Sequence, residues 1–480
     1  MPAAGSESGD VRAARDVVAR LNDPETGGRY ERWVERARGC SRPVRLRGSS
    51  HDADPATGEL VREFTSEREP DGVLLTPCGN RRAHVCRACS EVYRGDAWQL
   101  VVSGLRGGKG VPESVAGHPL VFATFTAPSF GPVHTIREAG GKRLACRPRG
   151  RGETCPHGRS LACGKRHADD DPCLGEAICP DCFDYERCAL WNHNAGRLFK
   201  RMRTYVEREL AREAGLTQKA ARERVRVAYV KVAEFQRRGV VHFHTLWRLD
   251  ARGDQIAPPP EGFDAQLLAD AITGALPKAT VPAEDADAEP YAWGRQHEVR
   301  ALDVRGDSQE AGRVAGYIAK YATKSAADSG GVGYRIETPH ELRALRCRDH
   351  ARRLITSAWE LSAREEVDGE RMRRWVHQFG FGGHCFTKSR RFSTTFRALR
   401  EARAMYAAGR FVPVGEASAK SDHSLIRVRA WHYAGRGYPR SGDALLAASS
   451  HARAREHRRL ARDAAKDEAS RANHEHAEVV

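Results

Sequence analysis

Glu234-Phe-Gln-Arg-Arg-Gly-Val-Val-His-Phe-His-Thr-Leu-Trp247 joins two β-rich runs, Val225 to Gln236 and Val240 to Leu249. Between them Arg237-Arg238-Gly239 has the composition of a hairpin turn. Side chains alternate along a strand, so His242 and His244 share one face while Val241, Phe243 and Thr245 take the other. With a three-residue turn, Gln236 pairs with Val240 and Glu234 falls opposite His242 on the histidine face. A carboxylate and two imidazoles so placed form an open site for Mg, Mn or Zn, with coordination positions left for a phosphate. A two-residue turn reverses the parity of Glu234, and a residue near Gln296 or His297 is the other candidate for third ligand. A lone His-x-His is as readily a half-exposed polar face, so a second motif has to decide.

That motif is Gly316-Tyr-Ile-Ala-Lys-Tyr-Ala-Thr-Lys-Ser325, within a helical run expected over Glu310 to Ser325. Tyr317 and Tyr321 are four apart and stack on one helix face, and Lys320 and Lys324 each follow a tyrosine by three. A phenol is a weak nucleophile until a metal or base helps remove its proton, and a nearby ammonium favours the phenolate and the charge developing on a phosphodiester. Taken alone, Val314, Tyr317, Ile318, Tyr321 and Ala322 also read as a core-facing stripe.

Together the two motifs, with Ala123-Thr-Phe-Thr-Ala-Pro-Ser129 before them, resemble the His-hydrophobic-His endonucleases. The resemblance is to the rolling-circle replication initiators of actinobacterial plasmids, and it extends from about Cys78 to Arg403. It includes Trp293-Gly-Arg-Gln296 and Gly380-Phe-Gly-Gly-His-Cys-Phe-Thr-Lys-Ser389. It implies an α+β fold, an antiparallel sheet flanked by helices, with a cysteine-rich zinc-binding region and a helical C-terminal part. The implied activity is a metal-dependent nick in one strand of origin DNA that leaves a 5′-phosphotyrosine and a free 3′-OH. His242 and His244 hold Mg2+ or Mn2+, with Glu234 as third ligand. Tyr321 is the first candidate nucleophile and Tyr317 the second or an auxiliary, with Lys320 and Lys324 beside them. A two-tyrosine single-strand transposase and a non-catalytic zinc-containing DNA-binding regulator are the alternatives. No phosphate-binding Gly-x4-Gly-Lys-Ser/Thr loop is present, so a host helicase and polymerase are expected partners.

Of the 13 cysteines all but Cys347 and Cys385 lie between Cys40 and Cys188. Cys86-Arg-Ala-Cys89 and Cys179-Pro-Asp-Cys182 have the spacing that lets two thiolates reach one tetrahedral zinc from a tight turn. The expected structural sets are Cys78, Cys86, Cys89 with Cys146, and Cys155, Cys163, Cys179 with Cys182. Pairing across the sets stays open, as does replacement of a cysteine by His157 or His167.

The 480 residues carry 79 Lys and Arg against 63 Asp and Glu, a net charge of +16, which suits an anionic partner. Arg237, Arg238, Lys388, Arg390 and Arg391 are the candidate DNA contacts, positioning phosphates rather than reading bases. No run reaches the roughly 18 apolar residues of a spanning helix, and the first residues have no apolar signal core, so a cytoplasmic protein without a membrane partner is expected. Composition divides the chain into an N-terminal accessory arm (1–75), a cysteine-rich zinc region with the first strand motif (76–192) and a nuclease core (193–330). A basic DNA-binding region (331–410) and a C-terminal region with a charged tail (411–480) follow. Within the core, 250–290 reads as an insertion or flexible connection around one short helix.

Overall fold

The computed structural model describes residues 9–146, 152–305, 308–407 and 425–477. The chain divides into two compact units, one from the described parts of Met1–Tyr93 and Lys420–Val480, the other from those of Arg94–Ala419. These are not the five segments that composition suggests. Residues expected to be an accessory arm fold with the C-terminal segment, and 411–424 lie outside the described residues.

The larger unit is built on a five-stranded sheet: β1 (Leu120–Phe125), β2 (Val225–Phe235), β3 (Val241–Ala251), β4 (His297–Leu302) and β5 (Phe386–Lys388). Their order is β5-β2-β3-β1-β4, and every neighbouring pair is antiparallel, so the mixed helix and antiparallel-sheet class holds. β2 and β3 pair over their whole length, with Gln236 N–H donating to the Val240 carbonyl at 2.9 Å. Gly239 closes the turn at φ 77°, and a Cβ there would meet Leu354 at 2.2 Å, so the turn needs glycine twice over.

One sheet face is covered by α1 (Tyr185–Glu213). Trp191, Ala195, Leu198, Met202, Val206 and Leu210 form its buried stripe at helical spacing. Phe199 lies 5.7 Å from Phe243 and 5.9 Å from Trp247, ring centre to ring centre. Asn192, fully buried, fixes the hairpin end: its Nδ2 donates to the carbonyls of Gly239 and Phe379, and its Oδ1 accepts from Val241 N–H. α2 (Ala265–Ala275) lies inside the stretch expected to be flexible, yet Leu268, Ala271, Ile272 and Ala275 are all in the core. Its Asp264 cap accepts from Leu267 N–H, and its apolar stripe makes it a structural layer rather than a linker.

The other sheet face carries α3 (Ser308–Tyr321) near the histidines. Further along β3 that face holds Arg248 and Asp250, both fully buried and ion-paired, with His118 Nδ1 2.8 Å from Asp250. Arg248 also donates to the carbonyls of Gly104, Arg391 and Phe392, so one charged side chain ties three segments together. α4 (Asp349–Leu361) packs against α1.

The smaller unit has a sheet in which Val44–Ala53 pairs antiparallel with Ile426–Arg436 on one side and with Leu60–Thr65 and Leu74–Thr76 on the other. Its core contains Tyr30, Trp33, Val34, Leu75 and Ala447. The expected charged tail is the helix Ser441–Ala477, whose buried Asp443 accepts from Tyr30 and Arg20. Among the described residues no helix is long and apolar enough to cross a membrane.

Candidate functional site

The β2–β3 register pairs Glu234 with His242, the parity that the three-residue turn gives. β1 lies on the other side of β3, with Thr124 opposite His244. Thr124 Oγ1 is 3.3 Å from His244 Nδ1, and Thr126 Oγ1 is 3.0 Å from His242 Nδ1. Both threonines are site residues that were not singled out from sequence. The available signal was the alternation of Phe122, Thr124 and Thr126 along a strand of apolar neighbours.

Glu234 reaches two partners. Its Oε2 is 3.0 Å from His244 Nε2, and its Oε1 accepts from Lys324 Nζ at 2.8 Å. Burial works to raise this carboxyl, but hydrogen bonds from His244 and Lys324 outweigh it and hold the pKa below the usual value. Burial, reinforced by His244, pushes His242 down to about 3, so its ring is neutral and competent as a ligand near pH 7. The rings of His242 and His244 are 4.5 Å apart.

A cation with metal–ligand distances of about 2.1 Å sets neighbouring octahedral ligands about 3.0 Å apart, the separation of Glu234 Oε2 and His244 Nε2. Holding each histidine through Nδ1 presents Nε2 as the ligating nitrogen, the usual outer support of a metal site. The three side chains thus fit a divalent ion, although they do not close as tightly as the sulfur-containing groups described below. His297 pairs with Phe125, which points away from the histidine face, so register removes His297 as a third ligand, while Glu234 lies within 3.0 Å of His244.

α3 brings both tyrosines to His244. The Tyr321 ring stacks on it at 4.7 Å and 22°, while Tyr317 meets it edge-on at 4.9 Å. Tyr317 is 41% exposed, and burial of its hydroxyl end plus a hydrogen bond with Tyr321 push its phenol well above the ordinary value. The two lysines are not the equivalent pair that their spacing suggests. α3 stops at Tyr321, Lys320 is exposed, and Lys324 lies beyond the helix end, where its Nζ pairs with Glu234 and sits 4.6 Å from the Tyr321 ring. Ser325 starts a new short turn with a capping box, which is why the helix does not run on to it.

The candidate DNA contacts separate into two kinds. Arg238 donates to the carbonyls of Ala127 and Pro128 and to Gln236, and Lys388 donates to the Ser393 carbonyl at 2.7 Å. Both are internal ties, and burial lowers the Lys388 pKa to about 8. Arg237, Arg390 and Arg391 are at the surface or half-buried, Arg237 holding the Asp169 carbonyl and Arg391 that of Asp254. Arg391 also borders a cleft with Arg226 and Arg252, and those two arginines line a second cleft with Arg203 and Arg222, so the fold brings together basic residues that are scattered in sequence.

Among the described residues three groups made only of cysteine and histidine can hold a metal such as zinc, a fourth group of His167, Asp171 and Cys173 shares His167, and the membership of the first three differs from the expected sets. Cys40 completes Cys78, Cys86 and Cys89; His157 completes Cys155, Cys179 and Cys182; Cys146 and Cys163 join His134 and His167. Cys146 and Cys163 thus leave both predicted sets, because Cys146 is bonded through its backbone to Gly164 and Lys165. Tetrahedral zinc with Zn–S of about 2.3 Å and Zn–N of 2.0 to 2.1 Å puts sulfur pairs about 3.8 Å apart and sulfur–nitrogen pairs about 3.6 Å apart. The Sγ pairs Cys78–Cys89 and Cys40–Cys86 are each 3.7 Å apart, and Cys179 Sγ is 3.6 Å from His157 Nδ1. Hydrogen bonds from Cys40 and Cys89 draw Cys86 far below the ordinary thiol value, while the same contacts push Cys40 and Cys89 above it.

Residues 27–452 match the family "RepSA: Replication initiator protein, pSAM2". A "Replication initiator protein" of Streptomyces ambofaciens is 38% identical over 451 residues, covering 92% of this chain and 94% of that protein. No solved structure matches. The matched residues 27–452 span the sheet, the paired histidines and the tyrosine helix of this chain, and the protein belongs to the replication initiator family.

Proposed function

We propose that this initiator nicks one strand of origin DNA by metal-dependent transesterification, as in rolling-circle replication. The observation that carries the reading is the stacking of Tyr321 on His244, whose Nε2 faces Glu234. Glu234, His242 and His244 would hold a divalent ion, Mg2+ or Mn2+, which would supply Lewis-acid polarisation of the scissile phosphate. Thr126 and Thr124 accept the Nδ1 protons and fix the ring orientations. Tyr321 loses its phenolic proton and its oxygen bonds to phosphorus; the P–O3′ bond breaks, and the departing oxygen takes up a proton as the 3′-OH. Lys324 holds Glu234 and places positive charge beside the reacting phenol.

Tyr317, held neutral by its raised pKa, is the auxiliary or second-round hydroxyl. Arg237, Arg390 and Arg391, with Arg203, Arg222, Arg226 and Arg252, bind phosphates of the same DNA. The groups at Cys40 and Cys155 take structural zinc, since four protein ligands leave no open position. A host polymerase extends the 3′ end while a host helicase unwinds the duplex.

The test is to incubate the protein with Mn2+ and a labelled pool of single-stranded origin DNA, then resolve it under denaturing conditions. A covalent band that is lost with EDTA and in His242→Ala supports the reading. Its absence from folded protein that binds the DNA makes the chain a non-catalytic zinc-containing binder.

A further inference from the structure

We propose that His134, Cys146, Cys163 and His167 bind a third zinc ion, and that this ion holds one wall of a DNA-binding groove against the turn of the histidine hairpin. The metal claim stands on its own geometry; its consequence for DNA rests on the nuclease reading above.

The four ligand atoms lie within 4.8 Å of one another. Cys163 Sγ is 3.6 Å from His167 Nε2, the spacing of sulfur and nitrogen across a tetrahedral zinc. The outer support is of the kind metal histidines have: His167 Nδ1 is 2.7 Å from Asp171 Oδ2, so Nδ1 carries the proton and Nε2 faces the ion. Thr135 N–H donates to Cys146 Sγ at 3.4 Å and so orients the sulfur. Nδ1 of His134 is buried without a hydrogen-bond partner, a state that buried polar groups rarely tolerate.

Backbone bonds gather these ligands from three places. Cys146 is cross-bonded to Gly164 and Lys165, and His134 is cross-bonded to Gly175 and Glu176. The loop that follows His167 lies on the hairpin turn. Arg237 donates to the carbonyls of Asp169 and Asp171, and a Cβ on Gly175 would come within 2.4 Å of the Arg237 backbone.

His134, Gly175 and Arg237 border a cleft of about 1160 Å3, whose lining also includes Thr135, Trp293 and Arg295. Gln236, also in that lining, has its Nε2 3.4 Å from His242 Nδ1. The cleft therefore opens beside the histidine that lies farther from the tyrosines. Arg295 is exposed at this cleft, placed for a phosphate. An unpaired DNA segment running from Tyr321 across both histidines enters this cleft next.

The experiment counts zinc on the full chain purified in the His242→Ala background, so that the catalytic histidines hold none. Three equivalents are expected, falling to two in Cys146→Ser and in His134→Ala, and restored to three in His134→Cys. A count of two that Cys146→Ser leaves unchanged overturns the metal site. In the native-histidine background Cys146→Ser is expected to weaken binding of the single-stranded origin pool about tenfold and to speed amide exchange at Arg237 to Gly239. Loss of the ion with binding and exchange unchanged overturns the groove role. If three equivalents are found but the wild type forms no covalent DNA band, the zinc site stands and the nuclease reading falls.

Discussion

The ring of Tyr321 lies over that of His244, centroids 4.7 Å apart and planes within 22°. Because Glu234 contacts the far nitrogen of the same imidazole, tyrosine, histidine and carboxylate form one stack from α3 through the middle of the sheet to β2. Displacing any member moves the others, which makes the surrounding supports as testable as the ligands.

Thr124 and Thr126 support the histidines without meeting a substrate phosphate. Replacing either with Val keeps its shape and removes the partner of Nδ1. The Mn2+ concentration for half-maximal nicking should rise by about 10- to 100-fold, with folding unchanged. A titration of nicking rate against Mn2+ checks this, and an unchanged midpoint in both variants would contradict the supporting role.

Arg248 and Asp250 are both fully buried. Asp250→Ala leaves a guanidinium uncompensated among the carbonyls of Gly104, Arg391 and Phe392, at a cost of about 3 to 5 kcal/mol. Differential scanning calorimetry should show the transition of the larger unit shifted down, while that of the smaller unit stays in place.

Lys231 is buried among Phe199 and Phe243, its Nζ 4.2 Å from the centre of the latter ring, and burial lowers its pKa from 10.5 to about 8. Between those values the unfolded chain binds a proton that the folded chain does not, so stability rises with pH across this window and is lowest below it. Lys231→Met should therefore stabilise the protein at pH 7, by about 3 kcal/mol at most, and flatten its stability between pH 8 and 10. Urea unfolding at three pH values reads this out.

Cys40 completes a sulfur cluster within the smaller unit. Cys40→Ser should release one zinc equivalent and lower the melting temperature of that unit alone. Metal analysis with calorimetry checks both halves of the expectation.

The hairpin, its register and the stacked tyrosines were legible because each rests on short-range periodicity: two residues in a strand, four in a helix. The helix end before Lys324 was not, since nothing in Tyr321-Ala-Thr-Lys-Ser325 forbids another turn, and it is the Ser325–Asp328 capping box and the Glu234 partner that stop it. The cysteine sets were misassigned because local spacing identifies pairs of ligands, whereas the other members come from afar: Cys40 lies 38 residues before Cys78, with an Sγ that accepts from its amide. Arg238 and Lys388 read as phosphate contacts for a similar reason. A basic side chain near a surface turn looks the same in sequence whether it meets solvent or, as here, backbone carbonyls.

The most direct measurement is the identity of the residue joined to DNA. The covalent product formed with Mn2+ is digested with protease and nuclease, and the nucleotide-bearing peptide is sequenced by mass spectrometry. The expected label is on Tyr321, with no adduct in Tyr321→Phe and a retained adduct in Tyr317→Phe. A label on any residue outside Tyr317 and Tyr321, or an adduct that survives loss of both, would contradict the account.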